Sequence, residues 1–235
     1  MKLKEIIAPT MKELFIQEIE KKIISGQWQE GMRLPSEREM ETQMKVSRTI
    51  INGGLNILAQ KGFVEIKPRQ GVFVSNYIKH GNFETLLSIM NYNGGKLDRK
   101  TFDSLMNYRL ETDKECAYLA ALNHDDNDLI EMKVCYRNLQ NEQDPYIISN
   151  LKLEFEHLIY MATKNTIYPL ICNSFLPLNK TFSEKLFTTY GCQDASYLYA
   201  DLIDAIEKRD GELAKNHMHQ IMTKRIQQLE NIYYK

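Results

Sequence analysis

The chain has little of what marks most enzymes and membrane proteins. None of its 235 residues forms a run of 18 apolar positions, which excludes a membrane-spanning helix. With 43% hydrophobic residues it is also too apolar to be disordered. Cysteine is scarce. Cys116, Cys135, Cys172 and Cys192 form no C-x-x-C pair and have no His at zinc-ligand spacing, so they read as small buried hydrophobes. There is no G-x-G-x-x-G, no P-loop and no Ser/His/Asp order, which argues against an enzyme. The N-terminal Met1-Lys2-Leu3-Lys4-Glu5 lacks the apolar core and cleavage site of a signal peptide. With reduced thiols, that places the chain in the cytoplasm. Charge of one sign is missing too: 30 Lys/Arg against 31 Asp/Glu give −1. Taken whole, that speaks against a nucleic-acid binder, which should be basic.

The near-zero sum hides a division. Residues 1–78 hold 12 Lys/Arg and 9 Asp/Glu, a net +3, and the remainder holds 18 and 22, a net −4. Such asymmetry is a cue for nucleic-acid contact by the basic half. Three domain-level segments follow: a head at 1–78, a linker at 79–82 (Lys79-His80-Gly81-Asn82), and a helical region at 83–235.

The head reads as three helices and a hairpin. Thr10 and Glu13 have capping-box spacing ahead of the stripe Phe15, Ile19, Ile23, and Gly26 stops that helix. A second capping box, Ser36 and Glu39, opens a short helix ending near Met44. Ser47 caps a third, with Ile51, Leu55 and Leu58 on one face and Gly62 at its end. Two β-rich runs, 63–66 and 71–74, flank the turn Pro68-Arg69-Gln70-Gly71. This is the order of a winged helix-turn-helix. Beyond it, 105–122, 145–163, 195–208 and 212–233 have helical periodicity, with breaks at Gly94-Gly95, 123–126, 141–144 and Asp210-Gly211. The expected fold class is mainly α: an N-terminal winged helix-turn-helix and a C-terminal all-α helical bundle.

With Ile51, Leu55 and Leu58 facing a core, Arg48, Thr49, Asn52 and Asn56 face outward from the third helix. A guanidinium forks onto guanine O6/N7, and an Asn amide pairs with adenine. Ser36 and Ser47 sit at helix N-termini, where hydroxyls and free N–H groups suit phosphates. Arg38 lies in the second helix's first turn and Arg69 at the hairpin tip. Each alone is an ordinary surface residue. On one frame they read as a double-stranded DNA contact.

These residues also carry a resemblance. The stretches Gly31 to Glu39, Val46-Ser47-Arg48-Thr49, Leu58 to Val64 and Arg69 to Val74 resemble the GntR family of bacterial transcription regulators over roughly residues 9–75. The resemblance implies DNA contacts at Ser36, Arg38, Ser47, Arg48, Thr49 and Gly71. One departure stands out: where the family usually has Pro-Val-Arg-Glu-Ala, this chain has Ile50-Ile51-Asn52-Gly53-Gly54. Asn52 replaces the usual arginine. Each helix-interior glycine costs about 1 kcal/mol relative to Ala, and nothing in the sequence explains the pair.

The second half resembles the FadR-like branch of the family, whose FCD-type helical bundle binds a small effector. Many members hold a divalent metal there with one Asp and three His. By resemblance those positions fall on Lys152, Glu156, Tyr199 and Ile221, so no metal or other cofactor is expected. His157, His217 and His219 are out of phase with them, and His124, like these, reads as surface or satisfied. Effector-binding residues are then Arg109, Lys152, Glu156 and Tyr199, with Lys152 supplying the positive charge for a carboxylate or acyl effector. Lys152 and Glu156, at i, i+4, equally read as a solvated ion pair. The functional expectation is a ligand-responsive regulator and repressor that binds a palindromic operator as a homodimer, without membrane attachment and without enzymatic activity. The alternative is a winged-helix protein whose helical half binds a protein partner or is an enzyme.

Overall fold

The computed structural model describes residues 8–93, 96–192 and 194–235. The Met1-to-Glu5 segment and the Gly94-Gly95 break lie outside the described residues. The chain divides into two compact units after Lys96.

In the first unit, α1 (Met11–Ile24), α2 (Glu37–Met44) and α3 (Arg48–Gln60) precede the antiparallel hairpin β1 (Val64–Lys67) and β2 (Gly71–Val74). The caps form as the spacing predicts. Thr10 Oγ1 accepts from the Glu13 amide while the Glu13 carboxylate accepts from the Thr10 amide, and Ser36 and Glu39 repeat the exchange. Each reciprocal cap satisfies two orphan N–H groups. Phe15, Ile19, Ile51, Leu55, Leu58, Phe63 and Val74 share one buried core. Val64 pairs with Val74 and Lys67 with Gly71, and a bridge from Arg33 to Phe73 extends the wing. The wing's first strand starts one residue later than expected.

Gly54 now has an explanation. A Cβ there would lie 2.4 Å from Phe15 Cδ1, so the glycine is what lets α1 and α3 approach so closely. Gly53 has no such constraint, its added Cβ meeting only Lys12 Cδ at 3.6 Å.

The first unit does not stop at residue 78. Tyr77–His80 forms the short α4, and α5 (Phe83–Tyr92) packs on α1. Lys61 Nζ pairs with Glu20 Oε1 at 2.9 Å and bonds Ser88 Oγ of α5 at 3.0 Å. Asn82 and Thr85 donate to the Gln60 and Lys61 carbonyls. These side chains satisfy the open end of α3. The segment 79–82, expected to be a linker, is thereby fastened to the head, and the break between units falls after α5.

The second unit is helical throughout its described residues: α6 (Arg99–Asn123), α7 (Asp126–Asn141), α8 (Pro145–Ala162), α9 (Ile167–Tyr190), α10 (Asp194–Glu207) and α11 (Gly211–Tyr234). Helix α11 runs along α6, α8 packs on α6, α7 and α9, and α10 lies against α7 and α11. Its core includes Phe102, Met132, Ile148, Phe155, Ile159, Tyr199 and Ile221.

Candidate functional site

In the head, the expected DNA-facing residues come from three elements. Ser36, Arg38, Ser47, Arg48, Thr49, Asn52 and Arg69 are all exposed. A groove of about 520 Å³ is lined by Ser36, Arg38, Arg48 and Gly71 together with Arg33 and Glu37. Gly71 takes φ +118°, and a Cβ on it would stand 2.9 Å from Arg33 Nε. The glycine therefore leaves room for a guanidinium at the wing. Arg69 also takes a positive φ, 62°, at the tip.

Two residues of this surface were not singled out from sequence. Arg33 lines the groove. Glu37, at the start of α2, accepts from Arg48 Nε at 2.7 Å. With its amide nitrogen toward Glu37, Asn52 donates to the same carboxylate at 2.8 and 3.2 Å.

In the second unit, Arg109, Lys152, Glu156 and Tyr199 come together from α6, α8 and α10. Lys152 Nζ lies 2.8 Å from Glu156. Arg109 Nη2 reaches Glu156 at 3.4 Å and Asp113 at 3.1 Å. The Tyr199 hydroxyl donates to Glu156 Oε1 at 3.4 Å, and the Tyr160 hydroxyl donates to Asp113. Lys152 and Glu156 are each 5% exposed, so the solvated-pair reading is wrong: tertiary packing turns that face of α8 inward. Ile221 is core and makes no polar contribution.

One member escaped the sequence reading. Arg225 of α11 is buried, and its Nη1 meets Glu156 Oε1 at 2.8 Å with the guanidinium over the Tyr199 ring. The signal was present: Arg225 interrupts the apolar stripe Met218, Ile221, Met222, Leu229. Asn179 and Ser183 of α9 were also missed. Both are buried, and Asn179 Oδ1 and Ser183 Oγ find no hydrogen-bond partner among the described residues. They line a cavity of about 20 Å³ with Arg109, Lys152, Arg225 and the apolar Phe182, Leu186 and Met222.

The electrostatics follow from burial and charge count. Burial pushes Glu156 upward, but Lys152, Arg109 and Arg225 together hold it well below the carboxylate range. Burial depresses Lys152 to about 8; Glu156 opposes the shift and the two arginines add to it. Burial raises Asp113, with Glu156 adding to the rise against Arg109. Tyr199 is raised by burial and stays a neutral phenol. Three cations thus face two carboxylates, an excess of one positive charge in a nearly dry place. His124 is buried and satisfied by the Ala120 and Ala121 carbonyls. Among the described residues no group of three His, Cys, Asp or Glu could hold a metal ion, and no helix is long and apolar enough to cross a membrane.

A winged helix-turn-helix with an arginine-lined groove, followed in the chain by a helical unit around a charged cavity, is the layout of a transcription regulator. Comparison with known proteins makes the class specific. Residues 13–74 match the bacterial regulatory proteins of the gntR family and residues 104–224 match the FCD domain, so the chain belongs to the GntR family with an FCD effector domain. The HTH-type transcriptional regulator Mce2R of Mycobacterium tuberculosis is 24% identical, over 92% of this chain and 90% of its own. The fatty acid metabolism regulator protein of Shewanella frigidimarina is 25% identical over 72% of this chain and 71% of its own. Among solved structures, Lar of Listeria monocytogenes, which controls expression of the agr system, superposes with a TM-score of 0.57 at 13% identity, over 96% of this chain and 99% of that one. The fold is shared at that distance.

Proposed function

We propose that this regulator is a metabolite-responsive repressor that binds a palindromic operator as a homodimer, with a small organic anion, of carboxylate or acyl type, as its effector. The observation that carries the effector reading is the charge imbalance beside an unfilled polar demand. Arg109, Lys152 and Arg225 outnumber Asp113 and Glu156, next to the unpartnered Asn179 Oδ1 and Ser183 Oγ. An uncompensated buried charge is costly, and an entering anion removes that cost. The relative named for fatty acid metabolism is in keeping with a carboxylate or acyl compound. The cavity holds no more than a water-sized volume, so effector entry has to displace some of the apolar side chains that line it. That displacement gives the ligand differential affinity for two states, which any switch requires.

The donor set does not fit the divalent metal that the family resemblance implies. Such a cation needs carboxylates or neutral imidazoles. Here Glu156 is already engaged by an ammonium and two guanidiniums, Tyr199 holds its proton, and Ile221 offers nothing. Lys152 supplies positive charge in place of the metal. The homodimer reading is supported by the single recognition helix of the head, since one such helix reads one half-site and a palindromic site mirrors a two-fold axis. A regulator acting on DNA works in the cytoplasm of a bacterium.

A thermal-shift screen of organic acids and acyl compounds, run with and without chelator, tests this reading. Stabilisation by an anion should survive chelation and disappear in Lys152→Met. Stabilisation abolished by chelator would overturn the metal-free site. Sedimentation of the full chain with a palindromic operator should give two chains per duplex, and one chain per duplex would overturn the dimer.

A further inference from the structure

The geometry points to a base preference set by Asn52 and fixed by Glu37: an amino-bearing base, adenine or cytosine, roughly one to two base pairs along from the guanine read by Arg48. This rests on the DNA-reading role of the head. Arg48 and Asn52 are one helical turn apart on the exposed face of α3, and the Glu37 carboxylate of α2 reaches both. It takes Nε of Arg48 at 2.7 Å, leaving the two terminal nitrogens of the guanidinium pointing away as a donor fork. It takes the amide nitrogen of Asn52 at 2.8 and 3.2 Å through its two oxygens, leaving Asn52 Oδ1 as an acceptor. A carboxylate cannot donate, so Glu37 admits only this orientation of the amide.

Base edges in the major groove sort cleanly against that pattern. Guanine offers N7 and O6, two acceptors that match the Arg48 fork. Adenine N6 and cytosine N4 carry amino donors that match Asn52 Oδ1, whereas guanine O6 and thymine O4 would set oxygen against oxygen. The negative charge of Glu37 behind the amide adds to the rejection. One helical turn rises about 5.4 Å and base pairs stack about 3.4 Å apart, so the two positions lie roughly one to two base pairs apart. An arginine at position 52 could not behave this way: with donors only, it would select a second guanine. Asn52 bound bidentately to adenine also places an amide hydrogen on N7; the two Glu37 oxygens share one hydrogen of that nitrogen, which leaves the second for N7. Cytosine offers N4 to the same oxygen and no acceptor beside it, so it is accepted next to adenine with one contact fewer.

In vitro selection from a randomised DNA duplex library, with the full chain and its Asn52→Arg and Glu37→Gln variants, tests the assignment. The position that responds to Asn52→Arg identifies the base under residue 52. There the unaltered protein should favour adenine or cytosine over guanine or thymine by about tenfold. Asn52→Arg should reverse this to guanine. Glu37→Gln, which keeps the shape but can donate, should let the Asn52 amide turn over and cut the discrimination to about threefold or less while the Arg48 guanine remains enriched. Guanine or thymine enriched at that position in the unaltered protein, or no position responding to Asn52→Arg, would overturn the role of Asn52. Undiminished discrimination in Glu37→Gln would overturn the role of Glu37. No enriched sequence with any of the three proteins would instead remove the DNA-reading function, and the inference with it.

Discussion

Replacing Gly54 by alanine and Gly53 by alanine should move stability in opposite directions, although the two are adjacent in one helix. Alanine is favoured over glycine in a helix interior by about 1 kcal/mol. At residue 53 the new methyl makes an ordinary 3.6 Å contact with Lys12, so Gly53→Ala should gain about that amount. At residue 54 the same methyl lands 2.4 and 2.7 Å from two ring carbons of Phe15. Ordinary carbon contacts are about 3.5–4.0 Å, so the ring must retreat by about 1 Å, and Phe15 is 1% exposed inside the core. Overpacking of this kind costs about 1–3 kcal/mol. Gly54→Ala should therefore be less stable than Gly53→Ala by about 1–3 kcal/mol. The chain carries one tryptophan, Trp28, and it packs on the head's core, so its fluorescence in a urea titration reports this unit specifically. A Gly54→Ala protein as stable as Gly53→Ala would refute the close-approach account of α1 and α3.

In gel-shift titrations, Arg48→Ala should cost about 1–3 kcal/mol of operator binding and relax specificity, while Arg38→Ala should weaken all sequences alike and lower the salt slope by about 1. Glu156→Ala leaves Lys152 and Arg225 buried without their carboxylate. It should destabilise the helical unit by about 3–5 kcal/mol in calorimetry without shifting the Trp28 transition. Lys152 has a folded value near 8, below its ordinary 10.5, so between those values the unfolded chain binds more protons and this group makes stability rise with pH. Raised thiols and phenols work in the opposite sense, so the informative quantity is the difference between the unaltered protein and Lys152→Met: across pH 8 to 10 the unaltered protein should gain relative to the variant. Over the same range an anionic effector should bind more weakly as Lys152 loses its charge.

Much of the head was legible because its signals are local. Thr10 with Glu13, Ser36 with Glu39, and Ser47 are each read within four residues, and all three cap the helices expected of them. The attachment of α5 was not legible, because it depends on Glu20 and Lys61 meeting Ser88 from far along the chain. In the second unit, Lys152, Glu156 and Tyr199 meet in one buried cluster, and the sequence pointed to them only through the family resemblance. Asn179 and Ser183 were hidden in α9, a helix with Pro177 inside it and no side-chain cap at Thr166, so neither end nor middle announced it. Arg225 was passed over for a different reason: a lone arginine usually faces water, and only its place in the stripe of Met218, Ile221, Met222 and Leu229 marks it as inward.

The fastening of α5 has a mechanical meaning. Thr85 and Asn82 grip the end of α3, Ser88 joins the Lys61–Glu20 pair, and Gly62 admits the backbone at His80 within 2.4 Å of where a Cβ would stand. Helix α5 is consequently a handle on the reading head and no part of a slack tether. These bonds join α5 to the end of α3, the helix that bears Arg48 and Asn52. Glycines inserted at 79–82 would therefore loosen the hold of Asn82 and Thr85 on α3 and lower the stability of the head, where a slack tether would absorb them.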